Sequence, residues 1–168
     1  MGVPAASQKA MVDRHRQISE RRLNMQLMSY WLDLRGRGSE PLAERFDPEA
    51  VAELWPHCFT IIPADRPDEV KFDHIGATIA AGSGLSVQAM ATSEVPAGTL
   101  LGHALRLTAE VMKVKYPIVD SGEFTDLQGR QCLYRSILLP LNNDRGEISL
   151  LVGGARSRVL PPRSRTGR

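Results

Sequence analysis

Between Ile18 and Leu34 the segment "ISERRLNMQLMSYWLDL" sets Leu23, Leu27, Tyr30, Trp31 and Leu34 at the spacings of one helical face. Gly36 stands just past the last periodic position, where a left-handed residue closes a helix. The aromatic pair and the Arg-Gly run of "YWLDLRGRGSEP" (30–41) are therefore a helix end and its exit loop. A second stripe, Met11, Ile18, Met25 and Leu32, recurs every seven residues on another face. Its companion seam position holds Arg14, Arg21 and Met28, which falls short of a full coiled coil. Two apolar edges suit a helix that packs one edge on its own domain and the other on a second copy. The alternative, with both edges folded on one body, stands beside it.

Beyond this helix the periodicity changes. Asp47 is a candidate N-cap with Pro48 at the first helical position, which predicts a short helix ending before Pro56. The runs 57–63 and 69–81 have strand composition and flank the turn-rich "ADRPDE", so they predict a hairpin. Residues 82–98 suit one or two short helices. Residues 99–115 predict a longer helix with Leu101, Leu105, Thr108 and Met112 along one edge and Leu100, Leu107, Val111 and Val114 close by, stopped before Pro117. Three strands follow at 117–125, 130–141 and 146–154, joined by the turns "DLQG" and "NNDRG" into an antiparallel meander. The order gives an α+β fold: a five-stranded antiparallel sheet with helices gathered on one face, preceded by an N-terminal flanking helix.

Charge sharpens this division. The chain carries a formal +2, but residues 1–28 hold five Lys/Arg against two acids and residues 156–168 hold five Arg and no acid. The body between them has eleven basic and seventeen acidic residues, a poor surface for phosphate. The expected organisation is an N-terminal helix and exit loop over 1–45, a domain over 46–154 and a disordered basic tail over 155–168. Length favours one core, no apolar run approaches the ~20 residues a bilayer needs, and the N-terminus lacks the apolar stretch of a signal peptide. Cys58 and Cys132 lack metal-ligand spacing and read as small core residues of a cytoplasmic protein.

Four segments, "YWLDLRG", "FDPEAVAELWPHCFTI", "VKFDHIGATIA" and "RSILLPLNNDRGEISLLVGG", occur in an order that resembles small, stand-alone PAS-type proteins of alphaproteobacteria, over about residues 28–154. The resemblance implies a PAS-like sheet, a non-catalytic sensory role in signal transduction, and a ligand held between the longer helix and the sheet. Phe72, His103, Leu107, Tyr134 and Leu138 are the candidate lining, and Met11, Ile18, Met25 and Leu32 the candidate homodimer interface. Some PAS proteins hold haem through a histidine near the position of His103, but a lone helical histidine shows no macrocycle box, so no cofactor is assigned. Light-sensing relatives need a cysteine that 82–115 lacks, and the glycine pairs at 82–84 and 153–154 lack the third glycine of a dinucleotide fingerprint.

No nucleophile stands beside a base: neighbours such as His57 and Cys58 would point to opposite faces of a strand, and the acids are scattered in charged loops. The resulting expectation is a regulatory module that signals to another protein, gated by a ligand or by its dimer state. A ligand-free scaffold whose core is filled by the same large residues is the close rival. Nucleic-acid binding through the basic termini is the rival of another class, disfavoured by the acidic body.

Overall fold

Glycine closes the first helix where the spacing places it. In the computed structural model, which describes residues 21–37, 40–85 and 91–162, residues 21–35 are helical (α1). Gly36 follows at φ 58° and donates its N–H to the Leu32 carbonyl at 3.2 Å. The strands are β1 Cys58–Ile62, β2 Lys71–Ile75, β3 Ile118–Thr125, β4 Gln131–Asn142 and β5 Ile148–Val159. The remaining helices are α2 Ala77–Gly82, α3 Leu100–Leu105 and α4 Thr108–Val114. The strands form one sheet in the order β2-β1-β5-β4-β3 with every pair antiparallel.

Four expectations need correction. The predicted strand 69–81 stops at Ile75, because Gly76 turns the chain into α2. Only glycine fits there, since a Cβ would strike the Trp55 and Pro56 carbonyls. The short helix after Asp47 forms as 3-10 turns at Pro48–Val51 and Trp55–His57, so helical structure continues through Pro56. The predicted helix 99–115 is two helices. Arg106 and Leu107 donate to carbonyls three residues back, which re-aims the axis so that Leu101, Ala104, Leu107 and Val111 all reach the core. The expected edge of Leu105, Thr108 and Met112 is only half-buried. Finally, β5 runs five residues past Gly154: Ala155 to Val159 pair with Ser136 to Cys132, so this part of the expected tail is ordered strand.

The sheet buries both faces. Against α2, α3 and α4 lies a core that includes Phe59, Ile61, Phe72, Ile79, Leu101, Val111, Tyr134, Leu138 and Leu151. Against α1 and the 3-10 turns lies a second, with Leu23, Leu27 and Trp31 on Cys58, Ile137, Leu139, Leu141 and Val152. Alternation along β4 and β5 feeds one core and then the other, as period-two side chains require. The helices of the main layer thus take one face as expected, and the flanking helix takes the other. Gly153 and Gly154 are the pivot, since a Cβ on the first would meet the Phe59 ring and on the second the Leu27 side chain.

Pro140 sits inside β4, where proline ordinarily breaks a ladder. Leu160 donates to Gln131, so the odd-numbered residues of β4 bond to β5 and the even-numbered ones face β3. β3 pairs β4 only as far as Ile118 with Leu138. The missing N–H of Pro140 therefore points where no strand needs it.

Candidate functional site

The helix face of the sheet brings together every candidate ligand residue. Phe72, His103, Leu107, Tyr134 and Leu138 are each no more than 8% exposed. Phe72, Leu107, Tyr134 and Leu138 belong to one buried core, and His103 packs on its Tyr134 side. The His103 ring lies 4.9 Å from that of Tyr134 and 5.4 Å from that of Phe124, while Phe72 sets its edge to Phe59 at 6.2 Å. Phe124, on β3, completes the cluster and was missed in the sequence because it lies in the charged run "SGEFTD". Its alternation with exposed Glu123 and Thr125 is the signal that could have found it.

The polar edge of this cluster is Tyr134, whose hydroxyl donates to Asp120 Oδ2 at 2.7 Å. Burial, then the hydrogen bond to Asp120 and its charge, push the phenol up to about 12, so it stays a donor at neutral pH. Burial, assisted by the Arg106 charge, lowers the His103 pKa, and the Asp120 carboxylate opposes it. His103 Nδ1 is buried with no hydrogen-bond partner. A neutral imidazole wedged between two rings is thus the electrostatic character of the site.

The two cysteines behave as core residues. Cys58 donates its thiol to the Leu54 carbonyl at 3.3 Å, and burial pushes its pKa up to about 12, the Arg156 charge opposing. Burial and Asp126 raise that of Cys132. His57 precedes β1 in a 3-10 turn and is half-buried. Among the described residues no group of three or more His, Cys, Asp or Glu could hold a metal ion, and no helix is long and apolar enough to cross a membrane.

Of the candidate dimer residues, Met11 and Ile18 lie outside the described residues. Met25 and Leu32 are on the outer side of α1, 70% and 45% exposed, while Leu23, Leu27 and Trp31 on the inner side are buried. The two apolar edges therefore separate as their spacing requires, one against the sheet and one against solvent. Separately, a cleft of about 460 Å³ opens beside the second half of β5, lined by His57, Ile79, Phe124, Arg130 and Ser157 among others. Sequence reasoning missed it by ending the last strand at Gly154.

Three solved structures align with part of this chain. A light-oxygen-voltage domain aligns with a TM-score of 0.47 at 12% identity over 68% of this chain and 84% of its own. VqmA of Vibrio cholerae bound to DPO gives 0.46 at 9% over 67%, and this chain spans 58% of that one. The PAS domain of the fruit-fly ELK potassium channel gives 0.43 at 11% over 67% of this chain and 97% of its own. No curated protein matches. The PAS domain family model, in contrast, matches residues 19–155, which takes in α1, β1 to β4 and β5 as far as Ala155. This chain belongs to the PAS domain family.

Proposed function

We propose that this PAS domain is a non-catalytic, cytoplasmic regulatory module that acts through protein–protein contacts and dimerises through the outer edge of α1. The observation that carries the reading is the split of α1: Leu23, Leu27 and Trp31 anchor it to the sheet, while Met25 and Leu32 stay exposed. A second copy is the natural cover for a stripe with a seven-residue repeat. α1 and the α3–α4 pair load opposite faces of β4 and β5. A small ligand that favours one packing of α3 and α4 would thereby bias how α1 sits, and the change would pass to a partner signalling protein.

Sedimentation velocity tests the dimer. The wild type is expected to sediment as a dimer at micromolar concentration and the Met25→Glu, Leu32→Glu double variant as a monomer. A monomeric wild type, or a variant that stays dimeric, overturns the assignment.

A ligand-free scaffold is the second reading, and the burial of Phe72, His103, Leu107, Tyr134 and Leu138 favours it. Native mass spectrometry separates the two. A sensor copurifies with, or takes up, a small molecule of defined mass, whereas a scaffold gives the bare polypeptide in all conditions.

A further inference from the structure

We propose that the stacked pair of His74 and Trp55 is a pH latch: it holds residues 43–57 on β2 and, through Phe46, clamps the second half of α1, and acid opens it. The His74 ring lies flat on the Trp55 indole, with centroids 4.0 Å apart and planes 7° from parallel. The pair joins two parts of the chain, since His74 is on β2, the outer strand of the sheet, and Trp55 opens the 3-10 turn before β1. Gly76 fixes the approach, because its bare Cα admits the Trp55 and Pro56 carbonyls where a Cβ would strike them.

From Trp55 the contacts run on to α1. The Phe46 ring is 5.7 Å from that of Trp55, and Tyr30 on α1 meets Phe46 edge-on at 5.9 Å. Tyr30 also grips the backbone beside Phe46: its hydroxyl accepts the Asp47 N–H at 2.8 Å and donates to the Asp47 carbonyl at 3.4 Å. All four rings are half-buried, so this flank of the second core is held by rings in series rather than by deep packing. Leu23, Leu27 and Trp31 anchor α1 to the sheet independently of it.

The closed stack favours a neutral ring. His74 bonds to the Trp55 backbone, and its Nε2 is buried with no partner. A proton added at Nε2 would bury an N–H with no acceptor. Asp73, its neighbour in the chain, is the charge that favours the proton. β1 sets Thr60 opposite the ring, bonded to Asp73 at 3.4 Å, and the Trp55 turn adds His57, which feels Arg156. Burial outweighs Asp73 and lowers the His74 pKa from 6.5. A ring released from the stack returns to 6.5 and takes a proton that the closed ring refuses. Below that pH the open population therefore rises by up to about tenfold per pH unit, until the closed ring also titrates.

Hydrogen exchange of the full chain, read by mass spectrometry at about pH 7.5 and about pH 5.5 and corrected for the intrinsic pH dependence of exchange, tests the latch. Protection of 43–57 and of the second half of α1 should fall in acid, by up to about tenfold, while β4 keeps its protection. His74→Phe keeps a ring on Trp55 that cannot take a proton, and should hold protection equal at both values. Thermal melting reports whether that variant is folded. NMR gives an independent reading on the wild type: the His74 ring should titrate below 6.5, with the Trp55 indole signal moving in step. Equal protection at the two values, a loss shared by β4, a loss that stops short of α1, a loss that persists in a folded His74→Phe, or a His74 ring that titrates at or above 6.5 would each overturn the proposal.

Discussion

The indole N–H of Trp31 donates to the carbonyl of Pro140 at 2.7 Å, joining α1 to the one residue of β4 that has no N–H to give. Pro140 lies beyond the reach of β3, so its carbonyl would otherwise be an orphan in the core. The same stretch of β4 is served a second time when Asn142 donates its N–H to the Pro41 carbonyl at 2.8 Å. The flanking helix and its exit loop thus complete the ladder of a strand that its neighbour leaves short.

Trp31→Phe should therefore destabilise the protein by about 1–3 kcal/mol, because it retains most of the apolar contact and strands a buried acceptor. Urea unfolding followed by far-UV circular dichroism measures this. A change below about 0.5 kcal/mol, the range of an ordinary surface substitution, would mean that the bond contributes little.

Gly154→Ala should force α1 off the sheet, since the added methyl overlaps the Leu27 side chain. Overpacking of this kind typically costs about 1–3 kcal/mol. Shortening the opposing residue makes the pair diagnostic: Leu27→Ala with Gly154→Ala should be less destabilising than the two single changes added together, by about 0.5–3 kcal/mol. Strict additivity would show that the two residues do not meet.

Acid should weaken the fold through its histidines. Burial lowers the folded-state pKa of His103, and likewise of His57 and His74, from an unfolded value of 6.5. Between 6.5 and the lower folded-state pKa the unfolded chain binds more protons, so stability is full above 6.5 and falls as pH drops through that window. Melting temperature measured from pH 8 to pH 5 should decline on the acid side, and His103→Phe, which keeps a ring between Tyr134 and Phe124, should make the decline shallower. An unchanged slope in that variant would assign the effect to other groups.

The legible parts of this fold are those in which local pattern and final environment agree. Leu23, Leu27 and Trp31 share a face in any helix, and Gly36 can close that helix wherever it packs. The turns "DLQG" and "NNDRG" pair β3, β4 and β5 in register because a short antiparallel connection leaves few alternatives. The run "EVKFDHIGATIAA" was misread because its β-branched and apolar residues suit strand or helix equally well. Gly76, close against Pro56, decides where one becomes the other. The candidate ligand residues are large side chains whose inward position follows from the strand and helix periods. That they are buried beneath α3 and α4 depends on how those helices approach the sheet, which no spacing encodes.

By itself the sequence determined the periodic faces, the helix stops and the order of elements, since these follow from backbone geometry within a few residues. Tertiary structure alone decided that α1 covers the far face of the sheet, that residues 155–159 continue β5, and that this continuation outruns β1 and leaves an edge. Those facts depend on strand lengths set by neighbours far apart in the chain. A residue such as Ser157 carries no local sign of whether another strand will reach it.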